Sequence, residues 1–409
     1  MNENTIKEYA KLIVRTGANV QKGQDVWITA DVADSYFVNY VAKEAYEAGA
    51  NRVRVEWTTQ ALTRLAYEYQ SVDALGEIPA WQEEKMRYQT ELLPAMIYID
   101  SDDPDGLNSI DPDKRMEVMR RTGPTRLKYR EMMENKYQWT IVGIPGKAWA
   151  KKVFPALPED EAMEALWDAI LEVTRAKGDA VENWRLHNDN LKQKTTWLNG
   201  LGIRTLRYKS ANGTDFTIDI DERLQFLAGG EYTLGGVYYQ PNMPTEECFT
   251  SPVKTSANGT VMATKPLSVR GTLVENFGFV FENGVAVSVI CENEKHRKVL
   301  EKLIATDEGS ARLGEVALVP YDSPINRTGL LFFNTLYDEN ACCHLALGRA
   351  FTECIKNYSG LTEEEIKAVD LNSSIIHVDF MIGSSDLSIT GITASGEEVA
   401  VFENGTWAC

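Results

Sequence analysis

His377 and Asp379 alternate in Ile375-Ile376-His377-Val378-Asp379-Phe380-Met381-Ile382, whose β-branched and aromatic residues predict a buried strand. Side chains at i and i+2 of a strand share a face, so an imidazole and a carboxylate would stand side by side while Ile376, Val378, Phe380 and Ile382 cover the other face. Left unsatisfied away from water, such groups cost roughly 2 to 7 kcal/mol each. A divalent metal satisfies them; a hydrogen-bonded core pair is the alternative.

Further candidate ligands lie upstream. Glu315 follows Gly314 and heads the apolar run Val316-Ala317-Leu318-Val319, which stops at Pro320. Glu339 and His344 bracket Glu339-Asn340-Ala341-Cys342-Cys343-His344, just after Leu330-Leu331-Phe332-Phe333, an apolar strand candidate. Glu246 and Glu247 form an acidic pair. Singly, each has an ordinary reading: an acid at a strand head is commonly solvated, and paired glutamates after Pro-Thr commonly open a helix, where negative charge suits the dipole. Together they form a nitrogen and oxygen set larger than one tetrahedral zinc requires, and suited to two metals sharing a carboxylate. Of the remaining histidines, His187 in the polar helical stretch 181–198 and His296 in the charged segment 292–298 read as surface residues.

Four blocks, NMPTEECFTSP (242–252), RLGEVALVP (312–320), ENACCHLALG (339–348) and IIHVDFMIGS (375–384), resemble in order and spacing the signatures of the thermophilic aminopeptidases, the family of aminopeptidase T and aminopeptidase S. The resemblance implies a homodimeric two-metal exopeptidase that removes the amino-terminal residue of peptides. It places the ligands on Glu247, Glu315, Glu339, His344, His377 and Asp379. Glu247 is the acid leading into the aromatic-Thr-x-Pro part of its block, which leaves Glu246 as a base or an outer group. The family often carries a tyrosine seven residues after the first histidine. This chain has Phe351, and Tyr337, close to Glu339, is a candidate replacement.

The chemistry expected is attack on an amino-terminal peptide bond by a hydroxide held between two divalent ions, one of which also receives the substrate's α-amine. Glu315 is expected to bridge the ions and Glu246 to carry the proton to the leaving amine. Imidazole plus carboxylate suits zinc, cobalt or manganese. The alternatives are a non-catalytic peptide-binding protein of the same fold, suggested by Phe351, or another two-metal hydrolase.

The elements that must position these residues fall into two groups. Residues 1–180 alternate helix and strand: helix 6–15, strand 25–29, a helix opened by Asp34, strand 52–57, helices between 60 and 93, strand 95–99, helix 112–121 and strand 139–142. This rhythm predicts an α/β domain with a mostly parallel sheet. From 181 to 409, Asn-Gly pairs at 212, 283 and 404 adjoin apolar runs and predict tight hairpins. That region reads as a strand-rich, largely antiparallel α+β domain carrying the metal site, with short helices at 294–304 and 362–369.

At 409 residues the chain is expected to divide into about two or three domains. With 44% hydrophobic and 25% charged residues it has the material for packed cores. A net charge of -18 argues against nucleic acid, whose phosphates need a basic footprint, and against anionic membranes. No apolar run approaches the roughly 20 residues of a membrane span, and the first residues show no secretory pattern. The six cysteines form no Cys-x-x-Cys pair or disulfide framework, which fits a reducing cytoplasm. Cys343 beside His344 suggests a thiol nucleophile, but neighbours along a strand face opposite ways.

Overall fold

A computed structural model describes residues 3–269 and 272–409. The chain forms two compact units, one made of the residues up to Leu186 together with Gly230–Pro244, the other of His187–Gly229 and Thr245–Cys409.

The first unit is α/β, as the alternation predicts. Strands β1 (Asp25–Asp31), β2 (Arg52–Thr58), β3 (Ala95–Asp100) and β4 (Trp139–Gly143) pair in parallel in the order β4-β3-β1-β2. Val26, Ile28, Ala95, Ile97 and Val142, which share one face of this sheet, are buried, while the opposite face of β1, at Trp27 and Thr29, is half-buried. A two-residue strand, Asn242–Met243, joins the outer edge beside β4. The helix expected to end near residue 121 runs instead from Pro112 to Met133 through Pro124. Asp34 precedes the helix Ser35–Glu47 but does not cap it. Its carboxylate accepts the Ser101 hydroxyl at 2.5 Å, a tertiary bond that outcompetes the local one.

The second unit holds two large antiparallel sheets around one core, and a separate two-stranded ladder of Leu267–Val269 with Thr272–Val274. The eight-stranded sheet includes the expected hairpins: Ile203–Lys209 with Asp215–Asp219, and Phe277–Glu282 with Val285–Cys291. Asn283 and Gly284 take φ of 49° and 82°, which lets two residues reverse the chain. Facing it is a sheet in the order β8-β7-β6-β5, followed by Leu227–Ala228. Here β5 is Cys248–Thr250, β6 Leu313–Leu318, β7 His344–Gly348 and β8 His377–Met381. Cys248, Val316, Leu318, Leu345, Leu347 and Phe380 of this smaller sheet share a buried cluster with Phe216, Phe279 and Phe281 of the larger one.

Leu330-Leu331-Phe332-Phe333 does not form the expected strand. Its backbone is held by a side chain instead: the Asp338 carboxylate accepts the Phe332 and Asn334 N–H groups at 2.8 and 3.1 Å, and Phe333 takes a left-handed φ of 56°.

Candidate metal centre

Strand register explains how distant residues reach one surface. Glu315, Ala346 and Asp379 lie directly opposite one another across β6, β7 and β8, and Gly348 pairs with His377. His344 lies opposite Ala317 on one side and Met381 on the other, and Ala317 also faces Phe249 of β5. Residues opposite in register share a face, as do residues two apart, so Glu247, Glu315, His344, His377 and Asp379 all project from the face turned away from the aromatic core. Ala317, Ala346 and Gly348 between them keep that face open.

Among the described residues, two groups of candidate ligand atoms lie within 4.8 Å of one another: Glu247, Glu315 and His344, and Glu315, His377 and Asp379. Glu315 belongs to both. His377 Nε2 is 3.1 Å from Glu315 Oε2 and 3.3 Å from Asp379 Oδ1, and His344 Nε2 is 3.3 Å from Glu247 Oε2. A bulge between Leu313 and Glu315 shifts the ladder at this point. Only glycine fits at 314, where a Cβ would lie 2.3 Å from the Arg349 carbonyl oxygen.

Each imidazole turns its other nitrogen to the backbone. His377 Nδ1 donates to the Arg349 carbonyl at 2.8 Å, and His344 Nδ1 faces the Cys342 carbonyl at 3.4 Å. A carbonyl only accepts, so each ring carries a proton on Nδ1 and turns Nε2 toward the acids, the orientation of a metal-ligating histidine. Asp379 Oδ1 is buried and makes no hydrogen bond among the described residues; the Nε2 of His377 is directed at Glu315 instead.

The electrostatics match. Burial pushes the Glu315 carboxyl up to about 7, with Glu247 and Asp379 adding to the effect against the hydrogen bond from His377. Burial, then Asp379 and Glu247, hold Glu339 well above the usual carboxylate range. Burial opposes the charged form of His377, yet Asp379 and Glu315 outweigh it and raise the ring to about 11. His344 is likewise raised against its burial by Glu247, Glu315 and Asp379. Burial also works to raise Asp379, but the nearness of His377 and His344 keeps it below its ordinary value. These are acids and bases crowded out of water, each shifted by the charges of the others.

Glu339 stands outside both groups, on the short turn Glu339–Ala341, where Asn340 Nδ2 lies 3.5 Å from its Oε1. Glu246 is buried too; its N–H donates to Asn340 Oδ1 at 2.8 Å, and its Oε2 lies 4.0 Å from His187 Nε2. His187 is therefore no surface residue. Its side chain is 8% exposed and its Nε2 is 2.8 Å from the Thr245 carbonyl. The signal was legible, since Trp184 and Leu191 mark the buried face of the helix Ala180–Leu201, and His187 falls between them at helical spacing. Phe351 packs its ring on His377 with centroids 4.9 Å apart. Tyr337 is buried and stacks on Phe332.

The sequence pattern described as thermophilic metalloprotease (M29) matches residues 2–407. The chain belongs to this family. Aminopeptidase AmpS of Bacillus subtilis is 42% identical to this M29 chain, with 98% of each covered, and aminopeptidase 2 of Geobacillus stearothermophilus is 39% identical over 99% of the chain and 98% of the relative. Among solved structures, wild-type AmpT from Thermus thermophilus superposes on this M29 protein with a TM-score of 0.91 at 36% identity, covering all of both chains.

Proposed function

We propose that this M29 protein is a metal-dependent aminopeptidase that releases the amino-terminal residue of peptides. On this reading two divalent cations are held by Glu247, Glu315, Glu339, His344, His377 and Asp379. What supports it most directly is that Glu315 is common to two groups of ligand atoms, as a carboxylate bridging two cations must be. The names of its relatives as aminopeptidases support the exopeptidase activity. The donor set of imidazole and carboxylate, with no thiolate in either group, suits zinc, cobalt or manganese.

When bound, such cations supply Lewis-acid polarisation of the scissile carbonyl and an acidified water. The chain's own residues do the rest. His344 and His377, locked through Nδ1, present Nε2 at fixed positions on adjacent strands. Phe351 packs its ring against that of His377 and limits the ring's movement. Glu246 takes the proton of the attacking water and gives it to the departing amine, its backbone fixed by Asn340 and its carboxylate beside His187.

The proposal extends to a homodimer in the cytoplasm that acts on peptides with a free amino terminus. Among the described residues no helix is long and apolar enough to cross a membrane. The test is to incubate purified protein with leucyl-p-nitroanilide and its N-acetyl derivative, before and after chelation and re-addition of zinc, cobalt or manganese. Hydrolysis of the free-amine substrate alone, abolished by chelation and restored by metal, is expected. Metal retention without turnover would favour a peptide-binding protein, and turnover of phosphate esters in place of anilides a different two-metal hydrolase.

A further inference from the structure

Thr245, Glu246 and Glu247 are buried but belong to no helix or strand. Buried peptide groups outside a ladder must find side-chain partners. Two distant side chains meet at a single peptide unit here. His187, on the helix Ala180–Leu201, donates its Nε2–H to the Thr245 carbonyl at 2.8 Å, and Asn340 Oδ1 accepts the Glu246 N–H at 2.8 Å. The amide joining Thr245 to Glu246 is therefore gripped at both ends.

We propose that His187 is a positioning residue for the hydrolysis: by holding this amide it sets where the Glu246 carboxylate stands. The inference rests on the aminopeptidase reading above, in which Glu246 carries the proton, and it assigns a role to a histidine outside the ligand set.

The geometry directs the effect to Glu246 and through the backbone. His187 Nε2 is 4.0 Å from Glu246 Oε2, beyond hydrogen-bond reach, and its proton goes to the carbonyl. Asn340 is held in turn, because its Nδ2 donates to the Leu336 carbonyl at 3.1 Å and so leaves Oδ1 facing the Glu246 N–H. Glu247 is anchored differently. It adjoins Cys248, which the ladder pairs with Leu318, and its Oε2 lies 3.3 Å from His344 Nε2. The ladder thus fixes the candidate ligand, while the clamp of His187 and Asn340 fixes its neighbour. A reacting group misplaced by about 1 Å loses on the order of 10²-fold in rate, so a hydrogen bond that touches neither substrate nor metal is felt in turnover.

The experiment measures kcat and KM for leucyl-p-nitroanilide, and metal content, with protein loaded in turn with zinc, cobalt or manganese. It compares wild type, His187→Leu, His187→Gln, Glu246→Gln and the double variant His187→Leu with Glu246→Gln. His187→Leu is expected to lower kcat by about 10- to 100-fold with KM and metal content unchanged. His187→Gln, which returns an amide N–H to the place of Nε2–H, recovers most of that loss. In the Glu246→Gln background His187→Leu costs less than about twofold more, since both substitutions disable one group. Should His187→Leu not fold, His187→Asn, whose shorter amide stops short of the carbonyl, takes its place in both backgrounds. Equal losses in the two backgrounds, loss of metal in step with activity, or a folded His187→Gln no better than His187→Leu overturns the positioning role. A wild type inactive with all three metals sinks the aminopeptidase reading and this role with it, whereas an active wild type matched by Glu246→Gln removes the role of His187 alone.

Discussion

Glu315 and Asp379 stand two strands apart on one register row, with only the methyl group of Ala346 between them. On the two-cation reading, that spacing leaves room for a cation between buried acids. A larger side chain at the middle position would fill the space the metal needs.

Ala346→Leu tests this directly. Overpacking at this fully buried site is expected to cost about 1 to 3 kcal/mol, leaving a folded protein. Metal content by mass spectrometry or atomic absorption should nevertheless fall to background. Full metal occupancy in the folded variant would show that this row does not face the cations.

The shared position of Glu315 predicts an asymmetry among ligand substitutions. Glu315→Gln removes a charge from both groups and should abolish binding of both cations, whereas His377→Ala touches only one group. Both should lower kcat by at least about 10²-fold, the scale on which groups acting at the reacting atoms are felt. Circular dichroism checks the fold, and metal stoichiometry separates the two variants. Equal loss of metal from both would contradict a bridging Glu315.

Protonation of the metal-free site gives a pH dependence. Glu315 is raised from 4.5 to about 7, so the folded state keeps a proton that the unfolded state has released, and the stabilisation is lost as pH rises through about 7. His377 is raised from 6.5 to about 11, so its contribution is complete below 6.5 and declines as pH rises toward 11. Both act in the same direction. The thermal midpoint of the chelated protein should therefore fall as pH increases from about 6 to about 8, while metal affinity, which requires these protons to leave, should rise over the same range. An affinity independent of pH, measured by titration calorimetry in two buffers, would contradict the assignment.

Phe351 packs against both Phe249 and His377. Phe351→Ala should cost about 1 to 3 kcal/mol, below the range for a fully buried phenylalanine because the ring is only partly covered. By freeing the His377 ring it should also weaken metal binding by roughly 10- to 100-fold, as loss of an outer group typically does. Phe351→Tyr keeps the packing and should keep the metal. Competition with a chromophoric chelator distinguishes the two.

The sequence by itself determined the element types and the chemical inventory. Period-two alternation at His377 and Asp379, Asn-Gly at the hairpins, and helix-strand alternation in the first half are local signals, and local sterics enforce them without reference to the rest of the chain. Where a distant group could compete, local reading failed. Asp34 bonds to Ser101 instead of capping its helix, Asp338 draws the backbone of 332–334 out of a strand, and His187 turns inward with Trp184.

Only the tertiary structure decided which acids meet. Register across three strands brings Glu315, His344, His377 and Asp379 onto one face, and it leaves Glu339 at the rim of a cavity and Glu246 beside His187. Ladder pairing joins residues more than sixty positions apart, and a bulge at Gly314 that no periodicity announces sets their alignment. Such distances are fixed by packing, which depends on the whole chain at once.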